Sequence, residues 1–290
     1  MKKFTGIYPA LLTPFDHAGN LNAVALEKVI EHNINKGVRG FYVGGSTGEF
    51  LLLSMEERKE LLVLVTAIVS KRVDIIVNIG AFATEHTIDL ARHAESLDVA
   101  AISAVPPFYF KFNLSEYLNF YADIAKAVSL PMVIYNIPVL TGVHLDQKAL
   151  EQLFAIEHVV GMKHTSYDLH QMQRIIEKFP DTSVFGGHDE LFLPAYSLGA
   201  RAAIGSTFNF MAEKFITLEK LFIAGEMEKA LILQGEINKI VEVLTEIGVF
   251  KGVKAALRFQ GIDCGECRKP FMPLSLAEEE KWHKTLEKYC

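Results

Sequence analysis

Gly40-Phe41-Tyr42-Val43-Gly44-Gly45-Ser46-Thr47-Gly48-Glu49, followed by Phe50-Leu51-Leu52-Leu53-Ser54-Met55-Glu56-Glu57, holds a strand, a loop and a helix start in sequence. Gly40–Val43 is a short aromatic and β-branched run between glycines, which reads as a strand. Ser54 and Glu57 have the spacing of a capping box, which opens a helix over Ser54–Ser70. This strand-then-helix unit is the pattern to look for elsewhere.

It recurs. Apolar runs of strand length fall at Gly6–Leu12, Gly40–Val43, Asp74–Ile79, Ala100–Val105, Met132–Tyr135, Val159–Lys163, Ser183–Phe185 and Ala202–Gly205. Amphipathic stretches at Asn22–Lys36, Ser54–Ser70, Thr84–Leu97, Ser115–Val128 and Leu169–Phe179 are long enough to cross over between parallel strands. No Gly-x-Gly-x-x-Gly follows an early strand, so the α/β pattern predicts a closed (β/α)8 TIM barrel rather than a dinucleotide-binding open sheet. After about residue 210 the strand signals stop, and Ala212–Gly225, Met227–Gly248, Lys251–Phe259 and a final charged segment read as helices. The expected organisation is a barrel over residues 1–210 that carries the site and a helical extension over 211–290 packed on it.

Half of the 290 residues are hydrophobic, enough for a large core, and the net charge is -6. With no run of Lys and Arg to track a phosphate backbone, nucleic acid is not an expected partner. The start breaks at Pro9 and Pro14 before reaching the length of a signal sequence. No apolar run approaches the roughly 20 residues of a membrane span. A soluble, cytoplasmic protein without a membrane partner is expected. Cys264, Cys267 and Cys290 are too few for a disulfide framework, and Cys264-Gly-Glu-Cys267 lacks the second pair that zinc would want, so reduced thiols are expected.

In such barrels chemistry sits at the C-terminal ends of the strands. Lys163 closes Val-Val-Gly-Met-Lys, and strand alternation turns Lys163 and Thr165 to one face and His164 to the other. Burial disfavours a charged amine, and a neutral amine adds to a ketone. On its own, a lysine at a strand end is more often simply solvated. Tyr135 ends the preceding strand on the matching face, where a phenol can relay protons. Gly44–Gly48 offers main-chain amides and the hydroxyls of Ser46 and Thr47 to a small anion, and lacks the Gly-Lys-Ser/Thr ending of a nucleotide loop. His164, His188, Asp189 and Glu190 are possible metal ligands by type, but their spacing and facing do not make a metal site.

Gly45-Ser46-Thr47-Gly48-Glu49, Tyr135-Asn136-Ile137-Pro138, Gly161-Met162-Lys163-His164-Thr165 and Ile204-Gly205-Ser206-Thr207 resemble, in order and spacing, the motifs of the N-acetylneuraminate lyase and dihydrodipicolinate synthase superfamily. The resemblance covers nearly the whole chain. It implies that Lys163 forms a Schiff base, that Tyr135 transfers protons, that Ser46 and Thr47 hold a pyruvate carboxylate and that Thr165 orients the intermediate. No cofactor or metal is implied beyond the covalent bond to Lys163.

Synthase-like members carry an arginine just after the Tyr-Asn motif to bind a second carboxylate. Here the sequence is Pro138-Val139-Leu140-Thr141-Gly142, and an apolar Leu140 would leave that carboxylate unpaired and buried, which is costly. Ser103-Ala104-Val105, Gly187-His188-Asp189-Glu190, Gly248-Val249-Phe250 and Cys267-Arg268-Lys269-Pro270-Phe271 resemble the lyase branch instead. That branch implies retro-aldol cleavage of the sialic acid N-acetylneuraminate to N-acetylmannosamine and pyruvate, with the sugar held at Gly187, Asp189, Glu190, Gly205 and Ser206. His188 departs from the aromatic residue found there in some lyases. A homotetramer is also implied, with a tyrosine, here Tyr109, lent across an interface. The alternatives are another pyruvate-dependent aldolase (dihydrodipicolinate synthase or a 2-keto-3-deoxy sugar acid aldolase) and a barrel that only binds a sugar acid.

Overall fold

Side chains along eight short strands alternate between an inner and an outer apolar core, and this alternation shapes the molecule. The computed structural model describes residues 3–290; Met1 and Lys2, the first residues of the expected 1–210 barrel, lie outside the described residues. The strands are β1 (Gly6–Pro9), β2 (Gly40–Val43), β3 (Asp74–Asn78), β4 (Ala101–Ala104), β5 (Met132–Asn136), β6 (Val159–His164), β7 (Ser183–Gly186) and β8 (Ala202–Gly205). They pair in parallel in the order β1-β8-β7-β6-β5-β4-β3-β2. The barrel closes through a parallel bridge between Ala10 and Tyr42, where the Leu11 N–H donates to the Tyr42 carbonyl at 2.9 Å. The predicted (β/α)8 TIM barrel is the fold.

Tyr8, Tyr42, Ile76, Ala101, Val133, Tyr135, Phe185, Ala202 and Ile204 fill the interior. The residues between them, among them Ile7, Phe41, Val43, Ile75, Ile102, Ile134, Met162 and Val184, face the helices. A small residue on one strand makes room for a ring from another, as layered barrel interiors require.

Element ends fall within a residue or two of expectation except at two places: the helix expected from Ala212 begins at Phe208, and β1 stops at Pro9 rather than Leu12. Proline has no N–H to give the ladder, and beyond it only single bonds from Ala10 and Leu11 continue the pairing. Two crossover helices, Gln147–Phe154 between β5 and β6 and Phe192–Ser197 between β7 and β8, are additional to those expected; the first is capped by Asp146, which accepts from the Ala149 N–H at 2.7 Å. The capping box of Ser54 and Glu57 forms as its sequence predicts.

The helix Phe208–Ile223 follows β8 and breaks at Met211, whose φ of −134° and ψ of 37° are not helical. The boundary expected between residues 210 and 211 falls at this break, and we propose it as the division between barrel and extension. The extension continues through Met227–Ile247, Val249–Phe259 and Leu276–Tyr289. Trp282 anchors the last helix: it is fully buried, donates its indole N–H to the Gly252 carbonyl at 2.9 Å and meets Phe210 edge-on.

Trp282→Ala removes this anchor and its hydrogen bond, and is expected to lower unfolding stability by about 3–5 kcal/mol. Denaturant melts followed by circular dichroism would show it; a loss below about 1 kcal/mol would mean that the last helix is not held by this contact.

Candidate active site

The strand register places Tyr135 of β5 directly beside Lys163 of β6. Both are buried, and the Lys163 amine lies 4.1 Å from the centre of the Tyr135 ring and 4.3 Å from that of Tyr42. The two rings meet edge to face at 5.7 Å, and the Tyr42 hydroxyl donates to the Ser103 hydroxyl at 3.1 Å. Burial pushes the Tyr42 phenol well above its ordinary range, so it is a neutral wall rather than a base. Among the described residues no carboxylate pairs with the Lys163 amine. Tyr42, absent from the predicted site, could have been found by its inward parity on β2.

His164 faces the opposite way, as the alternation requires. Its Nε2 lies 2.9 Å from the Asp168 carbonyl and its Nδ1 3.3 Å from the Asn136 amide. Burial holds it below its ordinary value, so a neutral ring donating from Nε2 and accepting at Nδ1 satisfies both contacts. Its nitrogens serve the fold and leave none for a metal.

Ser46, Thr47, Tyr135, Lys163, Thr165, Gly187, Asp189, Glu190 and Ser206 line one cavity of about 400 Å³ at the C-terminal mouth of the barrel. The Thr47 and Ser206 hydroxyls are 2.7 Å apart, joining the ends of β2 and β8. The Thr165 hydroxyl is buried without a hydrogen-bond partner beside Lys163 on the same strand face. A Cβ on Gly187 would come within 2.1 Å of that hydroxyl, which explains the glycine there. Gly205 does not line the cavity. It leaves space for Asp189 Oδ1, which a Cβ at that position would approach to 2.2 Å.

Asp189 is held by a residue absent from the predicted set. Its Oδ2 accepts both the Thr207 N–H at 2.9 Å and the Thr207 hydroxyl at 2.7 Å. Burial nonetheless pushes the carboxyl up to about 6. Glu190 is half-buried. Burial alone would raise it, but hydrogen bonding from His188 and Tyr167 outweighs this and holds it below the ordinary carboxylate range. Tyr167 donates to Glu190 Oε1 at 3.1 Å, His188 Nδ1 lies 3.3 Å from the same oxygen, and the two rings stack at 4.5 Å.

The C-terminal extension closes the cavity with Val241, Leu244, Thr245, Val249 and Phe250, of which only the last two fell in a recognised motif. Leu140 sits at the rim on a short helical turn and is 62% exposed. The expectation that it would bury a second carboxylate is therefore corrected: what it denies such a group is a cation, not water. Cys264 is fully buried, and burial pushes both it and Cys267 up to about 12, the range of unreactive thiols.

The dihydrodipicolinate synthetase family matches residues 3–289. The N-acetylneuraminate lyase of Rhizobium meliloti is 38% identical over 277 residues, covering 95% of this chain and 92% of the relative. The CdNal structure of Clostridium difficile in complex with mannosamine superposes with a TM-score of 0.97 at 34% identity, covering 100% of both chains. A dihydrodipicolinate synthase from Bacillus anthracis superposes almost as well, at 0.96 with 31% identity and 99% of each chain covered.

Because the Asp189 carboxyl lies above its ordinary value in the fold, its ionisation opposes folding. The penalty is absent below the ordinary value of 3.8 and complete above about 6. Asp189→Asn, whose carbonyl can still accept from Thr207, is expected to be more stable than wild type at pH 8 by on the order of 3 kcal/mol. The advantage should vanish near pH 4. Urea melts at pH 4, 6 and 8 test this, and an advantage that does not depend on pH would refute it.

Proposed function

We propose that this chain, which belongs to the dihydrodipicolinate synthetase family, is a class I N-acetylneuraminate lyase that cleaves N-acetylneuraminate to N-acetylmannosamine and pyruvate through Lys163. The observation that carries the reading is a buried amine, free of any carboxylate among the described residues, set against the Tyr135 ring in a cavity that also holds paired acids. Its relatives of that name match nearly the full chain.

In the proposed reaction the neutral amine of Lys163 attacks the ketone carbon of the open-chain sugar, and loss of water gives a protonated imine. Ser46 and Thr47 hold the adjoining carboxylate, and the otherwise unpartnered Thr165 hydroxyl orients the intermediate. Tyr135 removes the proton of the C4 hydroxyl. The C3–C4 bond then breaks, its electron pair passing toward the imine nitrogen to give an enamine, while C4 becomes the aldehyde of N-acetylmannosamine. Protonation of the enamine at C3 and addition of water release pyruvate and restore the amine.

Gly187, Asp189, Glu190 and Ser206 hold the sugar: Asp189 and Glu190 accept from its hydroxyls, and Gly187 keeps the wall thin enough for them to approach, while Gly205, which was expected among these residues, acts from behind the wall by leaving room for Asp189. No organic cofactor or metal takes part. The setting is sialic acid breakdown in the cytoplasm, by a homotetramer in which a neighbouring subunit contributes Tyr109. That residue stands 85% exposed in a left-handed backbone conformation beside the exposed Phe110, an arrangement suited to an interface. No helix among the described residues is long and apolar enough to cross a membrane.

Purified wild type is expected to release pyruvate from N-acetylneuraminate without added metal, and Lys163→Ala to release none. Borohydride with pyruvate should label wild type and Tyr135→Phe but not Lys163→Ala. Tyr135→Phe should cleave on the order of 100-fold or more slowly, in keeping with the loss of a proton-transfer group. Turnover by Lys163→Ala would end the Schiff-base reading.

A cation introduced at Leu140 tests the branch. Leu140→Arg should weaken sugar cleavage by about tenfold or more through a raised KM, since the new guanidinium occupies the cavity rim and pairs with its acids. Sugar kinetics that do not change would show that this position does not select the substrate.

A further inference from the structure

Glu49, Lys254 and Arg268 do not line the cavity, yet they meet behind the turn that carries Ser46 and Thr47. The Glu49 carboxylate and the Lys254 ammonium lie 2.8 Å apart with side chains 0% and 2% exposed, a fully buried ion pair. Lys254 also donates to the Glu266 carbonyl at 2.9 Å, and the Arg268 backbone N–H donates to the second Glu49 carboxylate oxygen at 2.7 Å. The Arg268 guanidinium forks onto Glu57 and donates to the Leu52 and Gly19 carbonyls at 2.9 and 2.8 Å. Two cations of the C-terminal extension are thus fixed on the segment that follows β2.

The backbone of Glu49 closes the turn in question. Its N–H donates to the Ser46 carbonyl at 2.9 Å, as the Gly48 N–H does to Gly45 at 3.0 Å. Its φ of 58° is left-handed, a conformation that a residue with a Cβ keeps only where its surroundings hold it. The holding groups are Lys254, the Arg268 N–H and the Cys267 thiol, which donates to the carboxylate. Lys254 also supplies the direct charge balance: without it, the buried carboxylate would keep only the field of the Arg268 guanidinium, itself forked onto Glu57, behind a turn that must receive another carboxylate.

We propose that Lys254 is a positioning residue for substrate binding: by pairing with Glu49 it fixes and neutralises the Ser46–Thr47 turn, so that the C-terminal extension sets the affinity of the site for a 2-oxo acid carboxylate. The inference rests on the reading of Ser46 and Thr47 as the carboxylate holders. Lys254 touches no reacting atom, so its loss acts on binding rather than on the chemical step.

Borohydride trapping of Lys163 at graded pyruvate concentrations separates the half-saturating concentration from the rate at saturation. Lys254→Met is expected to raise half-saturation about tenfold or more, with the saturating rate within about threefold of wild type. Adding Glu49→Gln removes the stranded charge and should recover most of the lost affinity. A merely structural role predicts instead that the second substitution leaves the defect unchanged or deepens it. If Lys254→Met does not fold, Glu49→Gln alone carries the test, with half-saturation expected to rise about threefold through loss of the ion pair. Half-saturation at the wild-type level in Lys254→Met, or in Glu49→Gln where that variant carries the test, overturns the inference while leaving the Schiff base in place. A wild type that is not labelled overturns the parent reading and this inference with it.

Discussion

The position of the Lys163 amine between the rings of Tyr42 and Tyr135 is the constraint on which the rest of the structure depends. A lysine on a barrel strand can point inward only if the residues around it exclude water without clashing. The interior meets that requirement with rings from β1, β2, β5 and β7 set against small side chains on β4 and β8. Of these rings, Tyr42 is kept neutral by burial, and its hydroxyl is satisfied by Ser103. The amine is therefore enclosed by rings, oriented and without an anion among the described residues to hold it as a salt. Each of these conditions favours a group that must add to a carbonyl.

Charge is managed around this centre at some loss of stability. Arg58 is buried with no counter-anion among the described residues, donates to the Gly80 and Asn78 carbonyls, and is pushed down to about 10 by that burial. Asn78 in turn donates to the Gly44 carbonyl at 2.8 Å, so the guanidinium braces the base of the glycine turn. Asp189 is pushed the other way, up to about 6, although Thr207 gives it two hydrogen bonds. A protein built for stability alone would not bury a cation against carbonyls or a carboxylate short of donors. Asp189 lines the cavity, whereas Arg58 reaches from the helix Met55–Val69 to the carbonyls at the end of β3 and just beyond it, and supports the turn from behind.

How much of this was legible follows from the range over which each feature acts. Lys163, Thr165 and Tyr135 were readable because period-two alternation is local, and the parity that turns His164 outward is the same fact seen from the other side. Strand ends and capping boxes were readable for the same reason, and β1 fell short of expectation only where Pro9 withholds a donor. Thr207 stood in a motif but its partner was not legible, because its bond to Asp189 links residues 18 apart on different strand ends. Lys254 and Arg268 were less visible still: Arg268 stood only in a motif, and the 219-residue separation from Glu49 is bridged by the closed barrel, not by any periodicity. Leu140 was readable as the absence of a cation, but its exposure at the rim was not.

Substrate choice lies at a finer level than fold. The backbone superposes on a mannosamine-bound relative and on a dihydrodipicolinate synthase with nearly equal fidelity, so the barrel cannot separate the two reactions. What separates them is which polar groups stand free at the mouth. His188 and Tyr167 both fix Glu190 through Oε1, and Thr207 occupies Asp189 Oδ2 while Oδ1 lies over Gly205. The mouth is thus rich in fixed acceptors, with no arginine at Leu140, and it suits a guest that brings hydroxyl donors better than one that brings a second carboxylate. On the proposed reaction, the groups around Lys163 serve the 2-oxo acid half that the two reactions have in common, and the rim serves the half in which they differ.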